Sequence, residues 1–350
     1  MTRYIIRRLL WTIPVVIVIS LVTFGLMHAV PGGPFDREKP LPKEIRENLE
    51  KFYGMDQPLW RQYTDYMGGL IRIELALPSE GKPARLQGNY LLELRVPPNP
   101  QETQFALGFC NMGPTYSSRA RTVNDIIREQ FPISAQVGAV ALLIALLIGI
   151  PLGLISALKQ NSWIDYTSMF FAVLGVSVPN MVMGPLLIYI LAVQLGWFPA
   201  ARWVHLTDDP GQWFMHMILP AFTLGSGSSA IIARLTRASM LQVIREDYIR
   251  TARAKGLAER AVMVKHAMKN AFIPVATVLG PMFAFVVTGS LIVETIFALP
   301  GLGRYFVTSI GNRDYPVIMG TTLLFAIIII LANLVVDITY AWLDPRIRFD

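Results

Sequence analysis

The sequence predicts an all-α integral membrane protein with six transmembrane helices and one long loop outside the membrane. Its 350 residues are 53% hydrophobic and 16% charged, with a mean hydropathy of +0.46. Soluble domains average about 25% charged residues, so this composition lies outside their usual range. Six apolar runs are long enough to cross a bilayer, a distance that takes about 20 helical residues. These runs are 11–30, 133–158, 166–195, 213–232, 272–297 and 317–343.

The first apolar run is interpreted as an uncleaved transmembrane helix. Arg3, Arg7 and Arg8 precede it, which places the N-terminus in the cytoplasm. A signal peptide has the same polarity, but its apolar core is usually shorter, and the sequence after His28 is a poor cleavage site. We therefore expect the run to remain as the first span.

Basic residues are distributed unevenly between the two sides of this topology. Lys and Arg concentrate between residues 234 and 269, whereas the two short outer loops contain Arg202, Arg304 and Arg313. The positive-inside rule then gives six spans with both termini in the cytoplasm. The same rule accounts for the net charge of +7, so no nucleic-acid partner is implied.

Three regions follow from this topology. Residues 1–30 form the cytoplasmic N-terminus and first helix, 31–131 an extracytoplasmic loop, and 132–350 a core of five helices. Within the loop, apolar residues alternate with polar ones in two stretches, the pattern of a half-exposed β-strand. We predict a β-hairpin-like insertion over residues 72–107, with strands carrying Ile71, Ile73 and Leu75, and Leu92, Leu94 and Val96.

The cytoplasmic loop 244–273 joins the fourth and fifth spans and is the most basic segment of the core. Ile244, Tyr248 and Ala252 recur at i, i+4 and i+8, which predicts one helical stripe. Gly256 favours a tight turn, and a second periodic stretch covers 257–272. The pattern predicts helix, turn, helix, although any cytoplasmic loop between spans collects Lys and Arg.

The order of residues in this loop carries a family resemblance. Thr-Ala-Arg-Ala-Lys-Gly at 251–256, followed by His-Ala-Met-Lys-Asn-Ala-Phe-Ile-Pro at 266–274, resembles the EAA loop of binding-protein-dependent ABC importer permeases. The form is that of the oligopeptide and dipeptide branch, since Arg250 and Thr251 stand where the general pattern has Glu and Ala. The resemblance covers nearly the whole chain except the insertion.

The resemblance implies a type I ABC importer permease whose cytoplasmic loop is a coupling helix seated on a separate ATPase. The implied contact residues are Tyr248, Arg250, Thr251, Ala252, Arg253, Ala254, Lys255, Gly256, Leu257, His266 and Asn270. The implied partners are a second permease chain, two ATPases, an extracytoplasmic peptide-binding protein and a peptide substrate. The chain has no GxxxxGK[ST] phosphate loop, so ATP and Mg would bind to the ATPase subunits and this chain would be no enzyme.

Two sets of residues are candidates for the pore or its gate. Small or polar residues within a span need a protein-lined or water-lined face, so Pro179, Asn180, Gly225 and Ser226 could line a pore or simply pack helices. A carboxylate within a span is costly and hints at function, which singles out Glu294 and Asp337.

The roles of the two carboxylates stay open at this point. Glu294 could meet a substrate amino terminus or hold a gate through Arg304, and an ordinary structural ion pair is an equal alternative. Asp337 is expected to reach water or to pair with Arg346. Pro179 and Pro185 are also expected to break or kink the third run.

Other functions are less consistent with the sequence. An ion-coupled secondary transporter would need titratable residues at the membrane midplane and an internal repeat of spans. The scattered histidines and the single Cys110 give no metal-ligand spacing and no disulfide. Within the resembled family, nickel chelates and oligosaccharides are alternative substrates. The insertion could add a surface for the binding protein or cover the pore, but decoration is preferred because long surface insertions cost little.

Overall fold

The computed structural model describes residues 2–36, 42–78, 82–99, 101–118 and 120–343. Within these ranges the chain is mostly helical and divides into two compact units. Of the described residues, those within 13–131 and 305–326 form the loop unit, and those within 2–12, 132–304 and 327–343 form the core unit. The elements up to the long fourth helix are α1 (Thr2–Ala29), α2 (Lys43–Phe52), α3 (Leu59–Ile71), β1 (Ile73–Ala76), β2 (Leu92–Val96), β3 (Phe105–Phe109) and α4 (Val123–Leu158).

All regular elements of the described chain after α4 are helices. The first group is α5 (Trp163–Ser177), α6 (Asn180–Leu187) with its π-helical continuation (Ile188–Gln194), α7 (Pro210–Val243) and α8 (Asp247–Ala254). The second group is α9 (Glu259–Ala261), a π-helical stretch (Val262–Ala267), α10 (Met268–Ala271), α11 (Ile273–Val287), α12 (Leu291–Ile296), α13 (Leu302–Asn312) and α14 (Tyr315–Leu343).

The described helices provide four to six apolar spans, a range that includes the predicted six. Four helices, α1, α4, α7 and α14, are each long and apolar enough to cross a membrane. Two bent pairs supply the others: α5 with α6 and its continuation, bent by 104°, and residues 259–271 with α11, bent by 51°. Six spans result when each bent pair counts as one.

The third span breaks at Pro179, which confirms one of the two predicted proline effects. Val178 is extended, with φ −95° and ψ 115°, because a following proline disfavours helical backbone. Pro179 is extended too and precedes the first residue of α6. Pro185 lies inside α6 without ending it, and the helix widens into the π-helical stretch only at Ile188.

The fifth apolar run is not one continuous helix, so the prediction of a span reaching residue 297 is wrong. α11 ends at Val287, and Gly289 then takes a φ of +95°, a left-handed conformation that glycine adopts readily. The Ser290 hydroxyl caps the short α12 by accepting a hydrogen bond from the Val293 amide at 3.4 Å. Glu294 therefore lies on α12, after the spanning helix has ended.

The loop unit contains a three-stranded antiparallel sheet in the order β1-β3-β2. The β-hairpin-like insertion is present as a small sheet, and both predicted strands form, although Ile71 belongs to the end of α3. The two predicted strands do not pair with each other. The unpredicted β3 lies between them, with Leu107 opposite both Leu75 and Leu94. β3 also ends at Phe109, two positions beyond the predicted insertion.

Close contacts between backbones hold the long helices of the core unit together. At several glycines a Cβ atom would collide with a backbone carbonyl or the adjoining backbone of another helix, so only a hydrogen fits there. These glycines are Gly138 against Val286, Gly149 against Ser229, Gly153 against Ala233 and Gly225 against Ala141. The glycines of α4 thus set its distance from α7 and α11.

Candidate functional site: the segment of residues 244–273

The segment of residues 244–273, called here the coupling segment, begins with a turn between two helices. α7 ends at Val243, and Ile244 caps it with helical backbone. Glu246 is extended and precedes the first residue of α8. Ile244 and Tyr248 therefore lie on different elements, and the predicted stripe of Ile244, Tyr248 and Ala252 is wrong because the periodicity runs across this turn.

α8 is attached to the core unit by two residues. Ile249 is fully buried and Ala252 is 6% exposed. Both belong to a hydrophobic cluster that also contains Ala157, Met240, Val262, Met263, Ala267 and Ala271. The buried face of α8 is thus Ile249 and Ala252, one turn apart, and Tyr248 lies outside it.

The remaining faces of α8 and the following turn are exposed. Among the predicted contact residues, exposed side chains or backbone occur at Tyr248, Arg250, Thr251, Arg253, Ala254, Lys255, Gly256, Leu257 and Asn270, whereas His266 is half-buried. The exposed part is rich in cationic side chains. It is a surface that a partner with acidic or hydrogen-bond-accepting groups could contact.

Gly256 ends α8 through its backbone conformation. Its φ is +74°, and its amide donates a hydrogen bond to the Arg253 carbonyl at 2.9 Å. A Cβ atom at this position would meet nothing within 4 Å. The requirement for glycine is therefore conformational and not steric crowding.

Two polar contacts close the coupling segment on itself. The Asn270 amide donates a hydrogen bond to the Tyr248 hydroxyl at 2.7 Å. The Arg253 guanidinium donates to both carboxylate oxygens of Glu259, at 3.1 and 2.7 Å. These contacts join α8 to the second helical stretch, so the two halves of the predicted helix, turn, helix form one piece.

A buried ion pair beside the coupling segment was not predicted. Asp165 is 2% exposed, and its carboxylate accepts hydrogen bonds from Arg237 Nε at 2.9 Å and Nη2 at 2.7 Å. Ser156 also donates to Asp165, as does the Asn161 amide at 3.0 Å. Ser156, Asp165 and Arg237 lie near the end of α4, the start of α5 and the end of α7, so the pair joins three helices.

A sequence signal for half of this pair exists. Ser162 and Asp165 have the Ser-x-x-Asp spacing of a helix N-terminus, and the Ser162 hydroxyl does accept the Asp165 amide at 3.3 Å. Asp165 is also an acidic residue in the first turn of an otherwise apolar helix, which is a second signal in the sequence. The choice of Arg237 as its partner depends on how α5 and α7 pack.

The four pore candidates occupy two different environments. Gly225 and Ser226 are buried. Gly225 packs against Ala141, and the Ser226 hydroxyl donates to the Thr223 carbonyl at 3.0 Å. These contacts are those of helix packing. Pro179 is exposed and Asn180 half-buried at the bend between α5 and α6.

Glu294 lies on α12 with a buried carboxylate, and its contact with Arg304 is to the backbone and not to the guanidinium. It is 2% exposed, and its carboxylate accepts hydrogen bonds from the Ser134 hydroxyl and the Arg304 backbone amide, both at 2.7 Å. The Leu302 amide donates to the same Ser134 oxygen at 2.8 Å. The predicted partnership with Arg304 is thus made by the backbone. Glu294 folds the loop between α12 and α13 onto α4.

Asp337 pairs with the N-terminal helix. Its carboxylate accepts a hydrogen bond from the Tyr4 hydroxyl at 2.9 Å and lies 3.2 Å from Arg8 Nη2. The other predicted partner, Arg346, lies outside the described residues. Asp337 therefore links α1 to α14 within the core unit.

Comparison with known proteins identifies the family. Residues 149–349 match the model of the family described as binding-protein-dependent transport system inner membrane component. Residues 1–80 match the model of the N-terminal part of such components. The chain belongs to this family. The matched range 149–349 contains the whole coupling segment and the Asp165–Arg237 pair.

Curated members of the family resemble the chain over its full length. It is 41% identical to the dipeptide transport system permease protein DppB of Bacillus subtilis (strain 168), over 99% of this chain and 98% of the relative. It is 38% identical to the oligopeptide transport system permease protein OppB of Salmonella typhimurium, over 100% of both chains.

The fold is that of a type I ABC importer permease. The inward-facing MetNI methionine ABC transporter is similar with a TM-score of 0.51 at 16% identity, over 63% of this chain and 96% of that chain. At this identity the likeness concerns the fold alone. Family membership makes the chain a multi-pass inner membrane component that works with an ATPase and, in general, with a binding protein.

Proposed function

We propose that the chain is one permease subunit of an ATP-driven ABC importer for peptides and that it forms half of the translocation pore. The observation that carries this proposal is the coupling segment, with an exposed basic face and a buried anchor at Ile249 and Ala252. The peptide class is supported by the names of two relatives, a dipeptide and an oligopeptide permease. The other half of the pore is a second, similar permease chain.

The proposed mechanism is alternating access. ATP and Mg bind to two ATPase subunits, whose closure draws the coupling segments of the two permeases together. The motion is transmitted to the spans by two sets of close contacts. These are the apolar cluster around Ala252 and the ion pair of Asp165 with Arg237. The pore then opens towards a docked peptide-binding protein, and hydrolysis resets it. The chain itself is a permease and not an enzyme.

The geometry of the two carboxylates argues against the ion-coupled alternative. A coupling carboxylate must exchange protons or ions with water during the cycle. Asp337 is held by Tyr4 and Arg8, and Glu294 is enclosed by hydrogen bonds from Ser134 and Arg304. Both arrangements satisfy the charge by protein contacts. Nickel chelates and oligosaccharides remain the alternative cargoes, which the binding protein would select.

The deciding experiment is purification of the protein from its own membranes in mild detergent. We expect two ATPase chains and a second permease to copurify, and ATP hydrolysis to rise with a peptide-loaded binding protein. Loading the binding protein with a nickel chelate or an oligosaccharide separates the three cargo classes. Uptake into vesicles by the chain alone, without ATP, would reject the proposal and make Glu294 and Asp337 the residues to test.

The same preparation tests the topology. Both termini are proposed to lie in the cytoplasm, because the basic coupling segment and the N-terminal arginines then share one side. A tag at either terminus should be cleaved in inverted membrane vesicles and protected in intact cells. The opposite protection pattern at either end contradicts the six-span topology.

A further inference from the structure

The loop unit contains a cavity of about 260 Å³ lined mainly by aromatic and other apolar side chains. It lies among the end of α1, the helices α2 and α3, and the start of α14. Three methionines, Met27, Met112 and Met319, add flexible apolar walls. Six aromatic rings contribute to the lining: Phe24, Phe52, Tyr53, Tyr66, Tyr116 and Tyr315.

The rings around the cavity are fixed by contacts with one another and with the backbone. The Tyr53 and Tyr116 rings have centroids 4.7 Å apart, and the His28 ring lies 5.1 Å from that of Tyr315. The Tyr53 hydroxyl donates to the Thr115 carbonyl at 3.1 Å, and the Tyr315 hydroxyl donates to the Met27 carbonyl at 3.3 Å. The cavity is therefore preformed, as small-molecule sites usually are.

Two polar atoms of lining residues are buried without a hydrogen-bond partner: His28 Nε2 and Tyr66 Oη. His28 Nδ1 lies 2.9 Å from the Phe24 carbonyl, which can only accept, so Nδ1 carries the hydrogen and Nε2 is the acceptor of that tautomer. Burial raises the pKa of Tyr66 above its ordinary range, so the hydroxyl keeps its proton and its oxygen can still accept. Unpartnered buried acceptors are uncommon in folded proteins.

The lining has the electrostatic character of a cation site. The Asp65 carboxylate contributes a negative charge, and the Gln62 amide nitrogen is already used by the Met55 and Gln57 carbonyls, at 3.1 and 2.7 Å. None of the described residues that line the cavity is Lys or Arg, although the chain contains 31 of them. Aromatic faces with a few acceptors recognise ammonium groups, with the ring quadrupole supplying the attraction.

We propose that this cavity binds a primary ammonium group carried on an apolar body. The ammonium donates hydrogen bonds to Tyr66 Oη and His28 Nε2, and the apolar body packs against the rings and methionines. Phosphatidylethanolamine and an apolar peptide each carry a primary ammonium group, and their apolar parts are the acyl chains and the side chains. The site lies in the loop unit and does not depend on the transport function proposed above.

The test uses phenethylammonium as the probe and phenethyl alcohol as its neutral match. Binding to the purified full-length protein is followed by saturation-transfer NMR and calorimetry. We expect the ammonium to bind at least tenfold more tightly than the alcohol. Equal affinity for the two probes would overturn the proposal, because the cavity would then bind the apolar body without recognising the ammonium charge.

Matched variants identify the acceptors. Tyr66→Phe removes a single oxygen from the lining and should weaken binding of phenethylammonium about tenfold. Tyr63→Phe is the control, since Tyr63 lies one turn earlier on α3 and its hydroxyl contacts Ser20 at 2.8 Å. Asp65→Asn, at an exposed position, should also weaken binding without affecting folding. An unchanged affinity in both Tyr66→Phe and Asp65→Asn refutes the site.

Competition identifies the source of the ammonium. If the ligand is a lipid, bilayer nanodiscs with phosphatidylethanolamine should displace more probe than nanodiscs with phosphatidylglycerol. Tri-leucine should displace it, and N-acetylated tri-leucine should not, if the ligand is a peptide amino terminus. Displacement by neither source means that no biological ammonium uses the cavity, and the proposal fails.

Discussion

Single residues of the coupling segment act for different physical reasons, and Gly256 acts through its backbone. A non-glycine residue with its φ of +74° costs about 1–2 kcal/mol, although the space around it is open. We expect Gly256→Val to displace the end of α8 and to reduce copurification of the ATPase by about tenfold, with normal membrane insertion. Gly311→Val is the control, because a Cβ there also meets nothing within 4 Å and its φ is not positive. Unchanged ATPase binding in Gly256→Val would count against the coupling assignment.

Ala252 acts through packing and not through surface contact. A glutamate at position 252 would place a carboxylate in the cluster around Ile249 and Met263, so Ala252→Glu should lower thermal stability as well as ATPase binding. Arg250 is exposed, and Arg250→Glu should change stability by less than about 0.5 kcal/mol while weakening ATPase binding. Thermal unfolding and copurification are measured on both variants. Equal stability of the two would contradict the buried position of Ala252.

The Asp165–Arg237 pair allows a test in which partners compensate each other. Arg237→Met leaves the buried Asp165 carboxylate unpaired and should destabilise the protein by about 3 kcal/mol. Adding Asp165→Leu removes the stranded charge and should recover most of that stability, since a buried pair can be replaced by apolar residues. Thermal unfolding of the wild type, both single variants and the double variant provides the measurement. Additive losses would show that the two side chains are not coupled.

Some of this site could be predicted from sequence and some could not. The order of residues at 251–256 and 266–274 indicates the coupling segment, because a short motif is a local property. The burial of Ala252 depends on Val262 and Met263, which belong to the π-helical stretch and pack back against α8. The periodicity of α8 alone contains no information about these two residues. Arg237 is 72 residues from Asp165, so the pair required the packing of α5 against α7.

At the scale of elements, apolar length predicted the number of spans, and local backbone chemistry decided where they break. Pro179 was recognisable because proline restricts the residue before it. The break at Gly289 was not, since a single glycine in an apolar run is compatible with a continuous helix. The middle strand β3 was missed because Ala106 and Gly108 are small, and the Tyr90 ring covers Gly108 where a side chain would collide with it.

The three-stranded sheet of the loop unit should respond to acid through Glu74. The Tyr90 hydroxyl donates a hydrogen bond to the Glu74 carboxylate and, with the Gln87 amide, lowers its pKa below the ordinary 4.5. Because the pKa of Glu74 is lower in the folded sheet than in the unfolded chain, its carboxylate stabilises the sheet at pH values above 4.5. This stabilisation is lost as the pH falls through the lowered pKa of the folded state. Tyr90→Phe should therefore move the acid opening of β1 to higher pH, towards 4.5.

Hydrogen exchange of the β1 amides, corrected for intrinsic rates, measures this opening. The ring that packs on Gly108 is retained in Tyr90→Phe, so only the hydroxyl contact changes. Arg95→Met is a second variant, which removes a hydrogen bond to Glu93 and leaves Glu74 untouched. The same midpoint in the wild type and in Tyr90→Phe would show that the contact does not set the pKa of Glu74.

At the scale of the whole molecule, we expect the chain to tolerate the loss of the three-stranded sheet of the loop unit. The sheet leaves α3 and returns at nearly the same place, since the Asn111 amide donates a hydrogen bond to the Gly69 carbonyl at 3.2 Å. A short Gly-Ser linker can therefore replace residues 72–109, whereas a cut at 107 would leave part of β3 behind. The end of the deletion at residue 109 follows from the end of β3, whereas the alternation of apolar and polar residues in the sequence predicted an end at residue 107.

We expect the deletion to preserve assembly with the ATPase and to preserve uptake, because exposed loops tolerate insertions and deletions. The deletion also removes Asn89, whose amide contacts Thr122 at 2.8 Å and Asp125 at 2.6 Å beside the start of α4, and water can replace these bonds once the site is open. Gly108→Val is the companion variant, because it disrupts the sheet against Tyr90 at full chain length. Uptake and copurification are measured together. Loss of uptake with normal copurification in both variants would assign the sheet a role in transport, since neither variant would then have failed to assemble.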